Sequence, residues 1–280
     1  MRNLLISALL LLVSGTHCWS QTQPLSFGVI SHRSPVLTAQ YWKPILRHVS
    51  KKSGVPLELK MVKTGPEHSA MVGRGELDLL YSNHNLIGEN EAVGYTVFAR
   101  PIEAAVKGQI VVLADSPVQS LAKLQGKEIV FPHPAAFLGY HLPMDALLRM
   151  QIQVKPLFAG NQEGAMGQLK ARRTVAAGLN SQVMREYAKR ENIEYRVLWS
   201  SEEYLNVSLS AHPSVPRENV KAVSDALLQM ADDPEGAKIL ASSAELIKQK
   251  PPLGFIAAKD SEVDNMRRFY KNTLVKVELP

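Results

Sequence analysis

Cysteine is almost missing from this chain: of 280 residues only Cys18 is one. Long apolar runs are missing too. Residues 4–13 (LLISALLLLV) are the longest, too few to cross a bilayer but enough for the core of a secretion signal behind Arg2. Cys18 and Ser20 are small residues at the spacing a signal peptidase requires for a cut after Ser20. Residues 1–20 are therefore expected to be a cleaved leader, with mature protein starting near Gln21 in the periplasm. A lipid on Cys18 is disfavoured, since Gly15-Thr16-His17 lacks the leucine and small residue that lipid attachment prefers. Once Cys18 leaves with the leader, disulfides and thiol chemistry are excluded.

Catalytic signatures are absent as well. The eight histidines include no HExxH, no His pair at i, i+4 and no Cys/His metal spacing. There is no GxSxG, no Walker loop and no GxGxxG. Glu76 and Asp78 flank a turn into a strand, and Asp232-Asp233 suits helix capping better than an acid–base pair. An enzyme is not expected, and neither is a cofactor or a metal. Nor is there a basic stripe. The formal charge of +6 falls to +5 without Arg2, and the basic pairs Lys51-Lys52, Arg172-Arg173 and Arg267-Arg268 are scattered. That is a solvated surface, not a nucleic-acid interface. No tandem repeat or low-complexity linker interrupts the chain.

What is present is an alternation of short apolar strands with helical patterns. Strands are expected near 25–30, 55–62 and 77–82, with helices between them. Ser34-Pro35 starts the first helix, whose Trp42, Ile45, Leu46 and Val49 share one face. Pro44 inside that run predicts a kink or a later start. After strand-like runs at 95–104 and 108–114 a second series follows, with strands at 127–131, 154–158, 174–179 and 195–198. A last strand at 206–210 leads to amphipathic helices that are expected to return to the first domain. The pattern predicts an α/β chain of two lobes joined by two strands, with a hinge and a cleft. The expected boundaries are 21–105 with 206–280 for lobe 1 and 106–205 for lobe 2.

The stretch FPHPAAFLGYHLPM, residues 131–144, is the strongest candidate for binding. It joins a strand to a helix through a Pro-rich loop, so unpaired N–H groups at the positive end of the helix dipole face the loop. Such an end holds an anion or acceptor without a catalytic side chain. His133, Tyr140 and His141 stand nearby.

Several segments together resemble the phosphate/phosphite/phosphonate-binding family of periplasmic solute-binding proteins of ABC importers. They are GVISHRSP with WKPIL, GRGELDLLYSN, IVVLADSPVQSLAKLQGKEIVF, HPSVP, ALLQMADDPEGAKIL and GFIAAKDSEVDNMRRFY. The resemblance implies a two-lobed periplasmic-binding-protein fold, type II-like, that closes on a small polar or anionic solute. It implies an ABC permease as partner; the rival reading is a periplasmic sensory subunit that signals to a membrane sensor kinase, and a monomer is expected. It places ligand contacts at His32 and Arg33, at Asn83 and His84, at His133, Ala136, Phe137 and Tyr140, and at Asn180. At one point the sequence departs from that family. Phosphonate-binding members carry Ser and Thr hydroxyls where this chain has Ala135-Ala136-Phe137, and an acidic residue near Asn180. Phe137 and Tyr140 are expected instead to offer the solute aromatic surface.

Overall fold

The computed structural model describes residues 23–30, 33–103 and 105–276. The expected leader, its cut after Ser20, and His32 lie outside the described residues. Among the described residues no helix is long and apolar enough to cross a membrane.

The first run of the chain builds β1 (Leu25–Val29), α1 (Pro35–Ser53), β2 (Leu57–Lys60), α2 (Gly65–Gly73), β3 (Leu79–Ser82) and β4 (Thr96–Pro101). The chain then crosses over to β5 (Gly108–Leu113) and β6 (Glu128–Phe131). A π-helical turn (Phe137–His141) runs into α3 (Leu142–Arg149), followed by β7 (Lys155–Phe158), α4 (Gln162–Lys170), β8 (Ala176–Asn180), α5 (Ser181–Glu191) and β9 (Tyr195–Ser200). It returns as β10 (Ser208–Ala211), α6 (Arg217–Leu228), α7 (Pro234–Ile247), β11 (Phe255–Ala257) and α8 (Asp264–Asn272).

Two sheets result. One has the order β11-β4-β10-β3-β1-β2, the other β7-β6-β8-β5-β9. In each, parallel strands (β2-β1-β3 and β7-β6-β8) are joined by helical crossovers, while the strands next to the crossing points run antiparallel. The two crossing segments meet in an antiparallel bridge, where Val106 and Tyr204 exchange backbone hydrogen bonds of 2.8 Å in both directions. A bridge of two backbone segments can bend without breaking either sheet.

The first sheet buries the stripe read from the sequence: Trp42, Ile45, Leu46 and Val49 pack with Phe27, Leu79, Leu209 and Leu227. α1 runs on through Pro44, so the helix does not start there, the second of the two expected outcomes. Proline costs one helical hydrogen bond, to the carbonyl of Gln40. Gln40 is exposed, so water can replace that bond. Ser34 caps the helix by accepting from the Leu37 N–H at 3.3 Å, and Gly54 ends it in the left-handed conformation.

The C-terminal helices divide. α6 and α7 join the core of the first sheet, as expected. α8 does not stay with them. From its end, Asn272 O accepts from Arg149 (2.7 Å), and Thr273 Oγ1 and the Leu274 N–H donate to Asp145 on α3 (3.0 and 2.7 Å). From its middle, Arg267 donates to Glu91 of the first lobe at 2.7 Å. The sequence hides this double attachment because the rings that fasten it, Phe269 and Tyr270, find their partner more than a hundred residues away.

Candidate functional site

The carboxyl ends of the parallel strands of both sheets converge on one zone, crossed by residues 200–208. Such ends are where open α/β sheets bind ligands. From the first lobe come Arg33 after β1, and Ser82, Asn83 and His84 at the end of β3. From the second come His133 after β6 and Asn180 at the end of β8. Asn206 lies on the crossing segment between them.

Polar side chains link these groups across the junction. Asn83 Nδ2 donates to Asn206 O (3.3 Å), and Asn180 Nδ2 donates to Asn206 Oδ1 (2.8 Å). Asn206 Nδ2 donates in turn to Gln182 Oε1 and Gln182 Nε2 to Glu186 Oε1, both at 3.1 Å. Glu186 pairs with Arg33, which returns the chain of contacts to the first lobe. Beside it the Ser34 N–H donates to Glu163 Oε2 (3.1 Å), whose other oxygen accepts from Arg190 (2.5 Å). Asn180 has a second duty: its Oδ1 caps α5 by accepting from the Gln182 and Val183 N–H groups.

Imidazoles line the other side. The His84 ring meets that of His133 edge-on at 5.5 Å, and His68 meets His84 at 5.3 Å. Ser82 Oγ accepts from the His84 N–H and shares a 3.0 Å hydrogen bond with His68 Nε2. Burial pushes His68 down to about 4, so its ring is neutral at pH 7 and Nε2 can accept from the Ser82 hydroxyl. His133 reaches the first lobe because α2 begins with glycine. A Cβ at Gly65 would lie 2.2 Å from the His133 ring, so any other residue would push the imidazole away.

The structure thus brings together Arg33, Asn83, His84, His133 and Asn180, all named from the sequence. It adds His68, Glu103, Gln162, Gln182, Glu186 and Asn206. His68 gave no signal, being one residue inside a short helix. Gln162 Oε1 accepts from the Asn180 N–H at 3.1 Å, a contact no local pattern announces.

Three expectations need correction. Phe137 does not offer its ring to a solute. It is 2 % exposed and stacks edge-on with Tyr204 (4.9 Å) and Phe269 (5.3 Å), next to Tyr270. Tyr140 packs between Phe131 and Phe158, with ring centres 5.1 and 5.0 Å away, and belongs to the core of the second sheet. Ala136 is not a free donor: its N–H donates to His133 O at 3.1 Å and its carbonyl accepts from Tyr140 and His141. The π-turn explains all three. Its i→i+5 bond from the His141 N–H to the Ala136 carbonyl fits an extra residue into the turn, uses the Ala136 backbone and aims the aromatic side chains away from His133. The N–H groups of Phe137, Leu138 and Gly139 remain at the helix start.

His141 was read as a neighbour of the site. Its Nδ1 bonds Tyr270 OH at 2.9 Å, and burial pushes it down to about 4. It fastens α8 rather than facing the cleft. Among the described residues, the three metal-capable groups that approach one another are His48, Asp233 and Glu235, on the outer side of α1. Lys52 pairs with Asp233, and Lys51 with Glu235 at 3.2 Å, so lysine ammonium groups already neutralise those carboxylates.

Two α/β sheets, two crossing segments and a polar junction define a two-lobed solute-binding protein. The chain belongs to the family described as ABC transporter, phosphonate, periplasmic substrate-binding protein, whose model matches residues 27–263. Its members are transport components rather than enzymes. The fold is that of PhnD1 from Prochlorococcus marinus in complex with methylphosphonate (TM-score 0.74, 17% identity, 88% of this chain and 97% of that one). It is also that of a binding protein component of an ABC phosphonate transporter from Pseudomonas aeruginosa (TM-score 0.73, 17% identity, 92% of each chain). An ancestral arginine-binding protein bound to arginine shares the plan more distantly (TM-score 0.56, 18% identity, 78% of this chain and 97% of that one). No curated protein matches this sequence.

Proposed function

We propose that this chain is the exported, periplasmic solute-receiving subunit of an ABC importer, acting as a monomer that bends at the Val106–Tyr204 bridge and hands a small polar solute to a membrane permease. The observation that carries the reading is that Asn83 from the first sheet and Asn180 from the second both bond Asn206, while the His84 and His133 rings, one from each lobe, meet each other. A solute held there touches both lobes at once, so it favours the closed arrangement through differential affinity.

The lining also bears on which solute. A phosphonate carries negative charge and is held best by many short, charge-assisted hydrogen bonds. Here amides and imidazoles dominate, Arg33 is engaged with Glu186 and Arg190 with Glu163, and Ala135-Ala136-Phe137 supply no hydroxyl. Each missing charge-assisted bond costs about 1.5–3 kcal/mol, so two reduce affinity on the order of a hundredfold or more. Inorganic phosphate and simple alkylphosphonates are therefore expected to bind weakly.

Calorimetry with methylphosphonate and phosphate on stripped mature protein tests this. Dissociation constants in the micromolar range or below would refute the weak-phosphonate reading. Mass spectrometry of solute released from natively purified protein, with small-angle scattering before and after its return, tests the closing cleft. A radius of gyration unchanged at saturation would refute closure.

A further inference from the structure

Beside the polar junction lies a partly open cavity of ≈ 40 Å³, walled by α1, the ends of β3 and β4, β11 and the start of α5. Its size admits about three water molecules, or one ammonium head with its first carbon. Much of its wall is aromatic. The rings of Tyr41, Trp42, Tyr81 and Phe255 line it, with Trp42 at the centre, 4.6 Å from Tyr81, 5.6 Å from Tyr41 and 6.2 Å from Phe255.

Two charged side chains line it as well, Arg33 and Glu103. They are not equivalent. Arg33 is neutralised by Glu186, whereas the Glu103 carboxyl has only the neutral Gln182 and Asn206 amides as donors, and its buried Oε1 lacks a well-formed hydrogen bond. A buried carboxylate oxygen without a donor is costly and calls for a counter-charge. The carboxyl of Glu103 is raised by burial, and the Glu186 charge adds to that. The Gln182 and Asn206 amides and Arg33 oppose it by favouring the ionised form. The tyrosine hydroxyls of Tyr41 and Tyr81 are raised by burial too and stay neutral, so they bring no competing charge. Aromatic faces attract cations and repel anions, and they do so more strongly where water is excluded. Charge and lining therefore select the same ligand chemistry.

We propose that this cavity receives a compact ammonium group of the transported solute, with Glu103 as its counter-ion and Tyr41, Trp42 and Tyr81 as its wall. The inference rests on the solute-binding reading above and narrows it to amine-bearing solutes. Gln182 and Asn206 connect Glu103 to the polar junction, so the rest of such a solute extends towards Asn83 and Asn180.

The test uses mature wild-type protein and Glu103→Gln, with ethanolamine as probe and ethylene glycol as its uncharged counterpart. Calorimetry is expected to give ethanolamine binding to the wild type, at least tenfold weaker binding to Glu103→Gln, and none for ethylene glycol. Fluorescence of Trp199→Phe, which leaves Trp42 as the one tryptophan after residue 20, is expected to change with ethanolamine and not with ethylene glycol, which keeps the test open if Glu103→Gln folds poorly. Equal responses to the two probes, no response to ethanolamine, or unchanged affinity in Glu103→Gln overturns the inference. Mass spectrometry of the co-purified solute separates the two readings. A bound solute without an amine overturns the ammonium site and leaves the solute-binding reading standing. If no solute co-purifies and neither probe alters the radius of gyration, both fall.

Discussion

The segment after β6 has two ends that both touch elements outside its own sheet, and they do so by opposite means. Its front end carries His133 against Gly65 and His84 of the first lobe, among amides and imidazoles. Its rear end carries Phe137 and His141 beneath α8, among Tyr204, Phe269 and Tyr270. A polar contact exchanges for water or solute at a net cost of about 1 kcal/mol per hydrogen bond. A buried aromatic cluster has no such substitute, since opening it exposes apolar surface and leaves a void. The front end is thus built to part, the rear end to stay.

Acid probes both ends at once and has the largest expected effect. Burial holds His68, at the front, and His141, at the rear, near pKa 4, below the ordinary 6.5. The unfolded chain therefore binds protons that the folded chain refuses. The stability tied to the neutral rings is complete above pH about 6.5 and is lost as pH falls towards 4, by about 3 kcal/mol for each ring. Denaturant unfolding at pH 7, 5.5 and 4 measures the sum, and imidazole NMR titration assigns it. A ring that titrates near pH 6.5 would remove that ring's share.

Phe137→Ala tests the rear end alone. Deleting a ring from a closed aromatic cluster should cost about 3–5 kcal/mol. Hydrogen exchange should quicken in Asp264–Asn272 while the first sheet stays protected. Wild-type thermal stability in this variant would show the cluster to be dispensable. Asp145→Ala removes the acceptor for Arg149, Thr273 and Leu274, and about 2–3 kcal/mol is expected to go with it. Faster proteolysis at the end of α8 is the accompanying sign, and an unaltered cleavage pattern speaks against the attachment.

The smallest effect is expected at the front. Glu186→Gln keeps the shape and loses the charge that Arg33 meets across the junction. Glu186 is buried, but Arg33 keeps Glu103 as a second acidic neighbour and the amide still hydrogen-bonds, so about 1 kcal/mol of stability should be lost. The informative reading is scattering: the radius of gyration should rise in Glu186→Gln and not in Phe137→Ala. The reverse order would invert the comparison between the two ends.

Sequence patterns reveal contacts made between neighbours in the chain, and that is where this sequence was legible. The stripe of Trp42, Ile45, Leu46 and Val49 needed only the helical period, and the two strand–helix series needed only alternation. Asn83, His84, His133 and Asn180 were legible because they end strands. The misreadings arose where distant elements decide. Phe137 reads as a loop aromatic until Phe269 and Tyr204 enclose it. Glu103 is one residue of the strand-like run at 95–104, with nothing to single it out until α1 and α5 wall the cavity around it. β11 is a three-residue strand whose pairing with β4 is its only mark.

α8 changes how the molecule can move. Two crossing segments alone would let the lobes bend and also twist, as a sheet of paper does along a narrow strip. α8 adds a third line of attachment, through Arg267 to Glu91 on one side and through Thr273 and Leu274 to Asp145 on the other. A third attachment beside the two crossing segments resists torsion. What survives is a single rotation about the edge they define, so the two rims of the cleft meet in the same register each time they come together.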